Sequence, residues 1–209
     1  MKSVYPRAGL ALLCAVILSA CGGGNDGNLQ LAGSITGLTK PGLVLINKNT
    51  GEKLPVALGA TSFLFTRYLA TDENFNVDID TQPTGAKCTA SENINRANVF
   101  TSVRVQISCA VNPWVLSGVV KGLADDGVAG NTDGVTLANG PDTVYVAPSS
   151  TVPGGDVLFS FANFVGDGSP FGVTVLAQPA SRTCTVAAPS TGLMPAGNYD
   201  KLVITCVAK

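Results

Sequence analysis

Residues 75–89 read FNVDIDTQPTGAKCT, and residues 171–185 repeat the same plan as FGVTVLAQPASRTCT. Each stretch has an alternating Phe-x-Val-x-Ile/Val run, then Gln-Pro, four further residues and Cys-Thr, at a constant offset of 171 − 75 = 96. The alternation places Phe75, Val77 and Ile79 on one face of a strand, as half-buried β-structure requires. The chain is therefore predicted to contain a duplicated β-unit.

The duplication continues on both sides of this stretch. Residues 31–38 match 116–123 in the pattern Leu-x-Gly-x-Ile/Val-x-Gly-Leu, at an offset of 116 − 31 = 85. Two further matches keep the same order, a Phe-x-Phe pair at 63–65 and 159–161 and a run ending in Cys at 105–109 and 202–206. Because the order is kept, we predict a tandem repeat, with longer loops in the second copy. The expected organisation is repeat 1 at residues 31–109, a linker at 110–115 and repeat 2 at 116–209.

Each repeat breaks into short alternating runs separated by turn residues. In repeat 1 the predicted strands are 33–37, 43–47, 54–58, 62–66, 75–80, 87–91 and 99–108, the last with Val103, Val105 and Ile107 on one face. About seven strands in roughly 90 residues, with frequent turns, are typical of a small β-sandwich. We therefore predict an all-β fold of two tandem small sandwiches.

The cysteines give each predicted sandwich one pair. Cys88 and Cys109 lie 21 residues apart in repeat 1, and Cys184 and Cys206 lie 22 apart in repeat 2. Four cysteines allow three connectivities, of which we expect the one within each repeat. Such a loop closure stabilises a domain by about 3 kcal/mol. Metal ligation by these thiols is the weaker alternative, since the chain has no Cys-x-x-Cys and no His.

The N terminus has the layout of an export signal. Lys2 and Arg7 precede an apolar run, residues 8–20, that ends in small residues. The run is shorter than the roughly 20 residues that span a bilayer. Residues 1–20 are therefore predicted to be a signal peptide.

The end of this signal, Leu18-Ser19-Ala20-Cys21, resembles a bacterial lipobox. The resemblance implies cleavage before Cys21, a diacylglyceryl group on its sulfur and a third acyl chain on the new amino terminus. It also implies sorting to the outer membrane, since Gly22 rather than an aspartate follows. Residues 21–30 are then the lipidated cysteine and a Gly-rich flexible tether. The alternative is an ordinary cleaved signal in which Cys21 is incidental.

The repeats themselves also resemble known proteins. Their Gly-x-Ile/Val-x-Gly-Leu, Phe-x-Phe, Phe-x-Val-x-Ile/Val and Gln-Pro-x4-Cys motifs are similar to tandem repeats in bacterial lipoproteins of unknown function. More loosely, they resemble transthyretin-like or carboxypeptidase-regulatory sandwiches. The resemblance implies an Ig-like or transthyretin-like scaffold without catalytic residues, which is a non-enzymatic surface module.

Composition excludes several function classes. From Cys21 onward the chain has 13 − 2 = 11 basic against 14 acidic residues, so nucleic acid is not an expected partner. The absence of His excludes Ser-His-Asp and Cys-His catalysis and the common His-based metal sites. Asp78 and Asp80 share a strand face, but Thr174 and Leu176 replace them in repeat 2, so catalysis there is not expected. We expect no cofactor.

Two local features of the sequence contain candidate binding residues. Trp114, the only tryptophan, lies in the linker and is expected to pack between the sandwiches. The alternative is a sugar-stacking platform, with Tyr68, Tyr145 or Tyr199 as further aromatics.

The second feature is a loop that carries Asp125, Asp126, Asn131 and Asp133 among glycines. It offers the oxygen ligands that Ca²⁺ prefers, although such clusters are also ordinary turns. This loop and residues 145–156 are the expected contact surface of repeat 2.

Together these patterns favour a lipid-anchored structural, adhesive or protein-interaction module of the bacterial envelope. Its membrane partner is the lipid attached at Cys21. The sequence does not decide whether the module faces the periplasm or the cell exterior. A carbohydrate-binding module and an accessory subunit of an envelope enzyme are the two alternatives.

Overall fold

The computed structural model describes residues 27–128, 133–152 and 154–209. The predicted signal peptide, Cys21 and most of the tether lie outside the described residues, as does Asn131. No helix among the described residues is long and apolar enough to cross a membrane.

Repeat 1 contains eight strands and one short 3₁₀ helix, Thr101–Val103. The strands are β1 Leu29–Thr36, β2 Val44–Asn47, β3 Glu52–Pro55, β4 Ser62–Leu69, β5 Asn74–Thr81, β6 Ala86–Ser91, β7 Ile94–Arg96 and β8 Val105–Val111.

After the short linker strand β9, Pro113–Trp114, repeat 2 follows the same plan with one extra short strand. Its strands are β10 Leu116–Lys121, β11 Val135–Asn139, β12 Asp142–Val146, β13 Val157–Ser160, β14 Val165–Gly166, β15 Pro170–Ala177, β16 Arg182–Val186, β17 Thr191–Leu193 and β18 Tyr199–Ala208.

Each repeat is a sandwich of two four-stranded sheets. Repeat 1 has the orders β4-β1-β8-β6 and β3-β2-β5-β7, and repeat 2 has β13-β10-β18-β16 and β12-β11-β15-β17. The two sets of orders correspond strand for strand. The fold is therefore all-β, with two tandem small β-sandwiches, and the topology reproduces the duplication that the sequence predicts.

Each sandwich has a hydrophobic core of its own. One cluster of buried side chains runs from Leu31 to Cys109, and the other from Leu116 to Cys206. The inward residues are those of the alternating strand patterns, with Phe75 and Val77 almost fully buried in repeat 1. Burying apolar side chains in this way is the main stabilising contribution to each sandwich.

A glycine paired with a phenylalanine explains one repeated motif. Gly33 in β1 lies opposite Phe63 in β4, and Gly118 in β10 lies opposite Phe159 in β13. A Cβ added at Gly33 would lie 2.2 Å from the Val105 carbonyl oxygen and 2.7 Å from the Phe63 ring. A side chain at these two glycines is therefore excluded by the neighbouring strands.

The structure forms one disulfide within each repeat. Cys88 bonds to Cys109 and Cys184 bonds to Cys206, each linking directly opposed residues of neighbouring antiparallel strands. The predicted connectivity is confirmed, and all four sulfurs are committed to disulfides, which rules out the thiol metal site.

The prediction of a continuous strand at 99–108 is wrong. The Asn98 side chain accepts hydrogen bonds from the backbone N–H groups of Phe100 and Thr101, and the buried Ser102 hydroxyl donates to the Asn98 carbonyl. These local bonds form the 3₁₀ turn, so the ladder begins only at Val105. Val103 is consequently 54% exposed and does not share the core face of Val105.

Several predicted boundaries also shift. β1 begins at Leu29, so Leu29 and Gln30 belong to the sandwich rather than to the tether. The predicted linker is largely ordered as strand, since β8 extends to Val111 and β9 follows at once. Tyr145, predicted to start a loop, lies in β12.

Candidate functional site

The acidic loop of repeat 2 brings three of its four predicted residues together. Asp125, Asp126 and Asp133 each offer one carboxylate oxygen, and these oxygens lie within 4.8 Å of one another. Asp125 accepts a hydrogen bond from the N–H of Gly127 at 2.6 Å, and Asp126 one from Val128 at 2.8 Å. These bonds make two short turns, which are favourable without any ion.

Asp133 is the unusual member of this cluster. Its Oδ1 is shielded from solvent and has no hydrogen-bond partner among the described residues. Desolvation, followed by the negative charges of Asp126 and Asp125, raises the pKa of this carboxyl above its ordinary value. Three converging carboxylates fit part of the oxygen set that Ca²⁺ takes. The calcium hypothesis therefore stays a prediction.

Trp114 forms part of a contact between the two sandwiches. Its indole is half-buried against the core of repeat 2, and β9 pairs with β14 through Trp114 and Val165. The indole N–H donates to Asp167 Oδ2 at 3.4 Å. Lys40 of repeat 1 donates to the other oxygen, Asp167 Oδ1, at 2.8 Å.

Backbone hydrogen bonds complete this contact, which we call the clasp (Lys40, Gly85, Asn112, Trp114 and Asp167). The N–H of Asp167 donates to the Asn112 carbonyl at 2.9 Å, and the N–H of Asn112 donates to the Gly85 carbonyl at 2.9 Å. A Cβ at Gly85 would lie 2.4 Å from Asp167 Oδ1, so the close approach requires glycine. The hydrogen bond from Lys40 lowers the pKa of Asp167 and keeps it ionised.

Among the described residues, no contact joins the aromatic residues that were candidates for sugar stacking into one surface. Tyr68 lies in repeat 1, where its hydroxyl accepts a hydrogen bond from Gln30. Tyr199 packs against Phe171 with ring centroids 4.9 Å apart. Tyr145 is exposed in β12. Trp114 therefore serves the clasp, where its indole N–H is engaged.

Asp78 and Asp80 are occupied by lysines. Lys48 forms an ion pair with Asp78, and Lys53 forms one with Asp80 at 2.8 Å. These hydrogen bonds lower the pKa of both carboxyls. A general acid needs a raised pKa at neutral pH, so this pair lacks the acid that an inverting glycosidase requires.

Two structural roles, that of the repeated glutamine and that of the Lys40–Asp167 pair, were not predicted from the sequence. Gln82 accepts a hydrogen bond from the Cys88 N–H at 2.7 Å and donates to the Cys88 carbonyl at 3.0 Å. Gln178 makes the same two bonds to Cys184. The repeated glutamine was a visible signal of this role, whereas Lys40 and Asp167 had none, because neither belongs to a repeated motif.

Comparisons with known proteins give little further assignment. No family model and no curated protein matches the chain. Among solved structures it is similar to the major pilin proteins T-13 and T3.2 of Streptococcus pyogenes, with 10% identity in each case. Each match covers 87% of this chain and 97% of the pilin, with TM-scores of 0.30 and 0.26. Both scores are too low to define a common fold.

Proposed function

We propose that the chain is a non-catalytic lipoprotein of the bacterial envelope, anchored through acylated Cys21, that holds a binding surface away from the membrane. The observation that carries this proposal is the end-to-end placement of two disulfide-linked sandwiches joined by the clasp. The lipobox resemblance supplies the anchor, and the loops at the far end of repeat 2 supply the contact surface.

The topology supports a spacer role. β8 runs parallel to β1, with Gly33 opposite Val105 and Thr36 opposite Ser108. With Gly33 opposite Val105, the start of β1 at Leu29 is level with residue 101, and the end of β8 at Val111 lies 111 − 101 = 10 residues further along. The chain therefore enters repeat 1 at one end and leaves at the other, about 33 Å away at about 3.3 Å per residue. β18 pairs with β10 in the same way, so repeat 2 repeats this advance.

The clasp keeps the spacer from folding back. It combines a largely shielded ion pair, whose side chains are 22% and 12% exposed, with backbone bonds from a short linker. Domains joined only by a free linker move relative to each other by default. The acidic loop follows β10, so it lies at the end of repeat 2 opposite the clasp. Recognition in sandwich proteins commonly uses loops at such an end.

Observations on the sequence and on the described side chains support the non-enzymatic part of the proposal. The sequence contains no His. The surface hollow lined by Ser117, Phe159 and Asp200 contains a single carboxylate. The two acids of β5 are paired with lysines and held ionised.

Protease treatment of intact cells, with Cys21→Ala as companion strain, tests the proposal. We expect wild-type protein in the membrane fraction with acyl chains on the Cys21 peptide by mass spectrometry, and Cys21→Ala protein in the soluble fraction. Loss of residues 29–209 from unlysed cells would place the spacer outside, and protection would place it in the periplasm. If wild type and Cys21→Ala fractionate alike as soluble protein, the lipid anchor is wrong.

A further inference from the structure

We propose that repeat 1 touches the membrane with an apolar tip, formed by Tyr68, Val99, Phe100 and Val103. This inference rests on the proposed lipid anchor and adds a second membrane contact to it. The occupant is the surface of the bilayer that holds the acyl chains of Cys21.

The side chains of the tip are strongly exposed although they are apolar or aromatic. Phe100 is 73% exposed, Val99 66%, Val103 54% and Tyr68 48%. Tyr68, Val99 and Val103 line one shallow hollow together with Asn28 and Leu29. Clustered exposed apolar side chains of this kind mark interaction surfaces.

The tip is held in place rather than carried on a free loop. The side chain of Asn98 accepts from the N–H groups of Phe100 and Thr101, at 2.9 and 3.0 Å. The Thr101 hydroxyl donates to the Arg96 carbonyl at 2.5 Å, and the N–H of Asp72 donates to the Ala97 carbonyl at 2.9 Å. The tip is therefore presented by a fixed turn at the end of the sandwich.

The chain enters the fold at this same end. Gly27 lies against the backbone of Leu69 and Ala70, where an added Cβ would be 2.1 Å from the Leu69 carbonyl carbon. Cys21 precedes Gly27 by six residues, which reach at most about 22 Å when fully extended. An acylated Cys21 in the bilayer thus keeps this end of repeat 1 close to the membrane, while repeat 2 lies beyond the far end.

Comparison of the two repeats shows that the bulk of the tip is particular to repeat 1. With the offset of 206 − 109 = 97 that relates the last strands, Val99 and Phe100 correspond to Ala196 and Gly197. That end of repeat 2 meets repeat 1 through the clasp. At these two positions the large apolar side chains therefore occur only in repeat 1, whereas Tyr68 corresponds, at the offset of 159 − 63 = 96, to Phe164, which is 64% exposed.

The charges around the tip suit a lipid headgroup layer. Arg96 and Arg104 flank the turn, are exposed, and form no ion pair with any described acidic residue. Asp72 is an exposed acid at the same end, so the electrostatic attraction is weak. Aromatic and aliphatic side chains with flanking arginines are typical of shallow interfacial insertion.

Depth-dependent fluorescence quenching tests the proposal on the full-length protein. Trp114→Phe removes the native tryptophan, and Phe100→Trp then places a single indole at the tip. The matched control is Leu158→Trp in the same background, because Leu158 is 83% exposed on β13 of repeat 2. Each protein is purified with its lipid and reconstituted in phosphatidylethanolamine and phosphatidylglycerol vesicles with brominated acyl chains.

We expect the tip indole to be quenched at least about twofold more than the Leu158→Trp control and to emit at shorter wavelength, as an indole at the membrane interface does. Val103→Trp provides a second position if Phe100→Trp folds poorly. Equal quenching at tip and control, on protein whose Cys21 is acylated, overturns the membrane contact but leaves the anchor standing. Crosslinking of tip to tip without quenching assigns the surface to a second copy and also overturns it. An unacylated Cys21 overturns the anchor itself.

Discussion

Removal of either disulfide should destabilise its own sandwich and spare the other. The Cys88–Cys109 and Cys184–Cys206 bonds close loops with separations of 21 and 22 residues. The chain-entropy relation gives about 3.4 kcal/mol for loops of this length at 25 °C. With an urea dependence of about 1.5 kcal/mol/M for a domain of this size, the loss moves an unfolding midpoint by about 2 M.

Trp114 makes the two sandwiches distinguishable in one experiment. It is the only tryptophan, and its indole packs against the core of repeat 2. Cys184→Ala with Cys206→Ala should therefore lower the urea midpoint of its fluorescence by about 2 M. Cys88→Ala with Cys109→Ala should leave that midpoint nearly unchanged, while circular dichroism splits into two transitions.

The reasoning depends on the separate cores of the two repeats. If removal of the first disulfide moves the Trp114 transition as far as removal of the second, the sandwiches unfold as one unit. The clasp would then couple them more strongly than their own cores stabilise them.

Four further predictions follow from single side chains. Gln82→Ala should lower the free energy of unfolding by about 1 kcal/mol in urea titration, because both of its bonds to the Cys88 backbone are lost; an unchanged midpoint contradicts this role. Asp167→Ala removes the clasp ion pair and should broaden the distance distribution in small-angle X-ray scattering, whereas an unaltered distribution would show that the backbone bonds suffice. Asp125→Asn should lower the pKa of Asp133 in an NMR titration, since one of the charges that raise it disappears. Because the folded-state pKa of Asp133 is raised, its carboxyl stabilises the fold below its unfolded-state pKa, and this contribution is lost as the pH rises through the folded-state pKa. If the pKa of Asp133 is the same in Asp125→Asn as in the wild type, the assignment of the Asp125 charge as one of its causes is refuted. The calcium hypothesis predicts that calcium chloride raises the melting temperature of the wild type but not of Asp133→Asn, and equal shifts in both would reject it.

The sequence predicted the sandwiches because their information is local and repeated. The alternation of Phe75, Val77 and Ile79 recurs at a fixed offset, and period-2 patterns leave only one face for the core. The cysteine pairing followed because each repeat holds one pair. Duplication also strengthens the prediction. A single alternating run often arises by chance, but the same set of motifs rarely arises twice in the same order by chance.

The features that failed depend on polar side chains and on contacts distant in sequence. Val99 and Val103 look like strand residues, but the hydrogen bonds that the Asn98 side chain accepts and the Ser102 hydroxyl donates form a turn instead. Such competition between side chain and ladder is invisible to a count of apolar residues. Lys40 and Asp167 meet across 127 positions, and no periodicity relates them. The acidic loop could be predicted in part. Its residues are close in sequence and were named as candidates, but only the folded structure shows that their carboxylate oxygens lie within 4.8 Å of one another.

The parallel pairing of first and last strands has a mechanical consequence. A pull on repeat 2 against a fixed N terminus draws β1 and β8 in opposite directions along their length. Their hydrogen bonds, from Gly33 opposite Val105 to Thr36 opposite Ser108, then carry the load together in shear instead of opening one at a time. β10 and β18 have the same geometry in repeat 2. The arrangement that separates the ends of the chain thus also makes each sandwich resist extension.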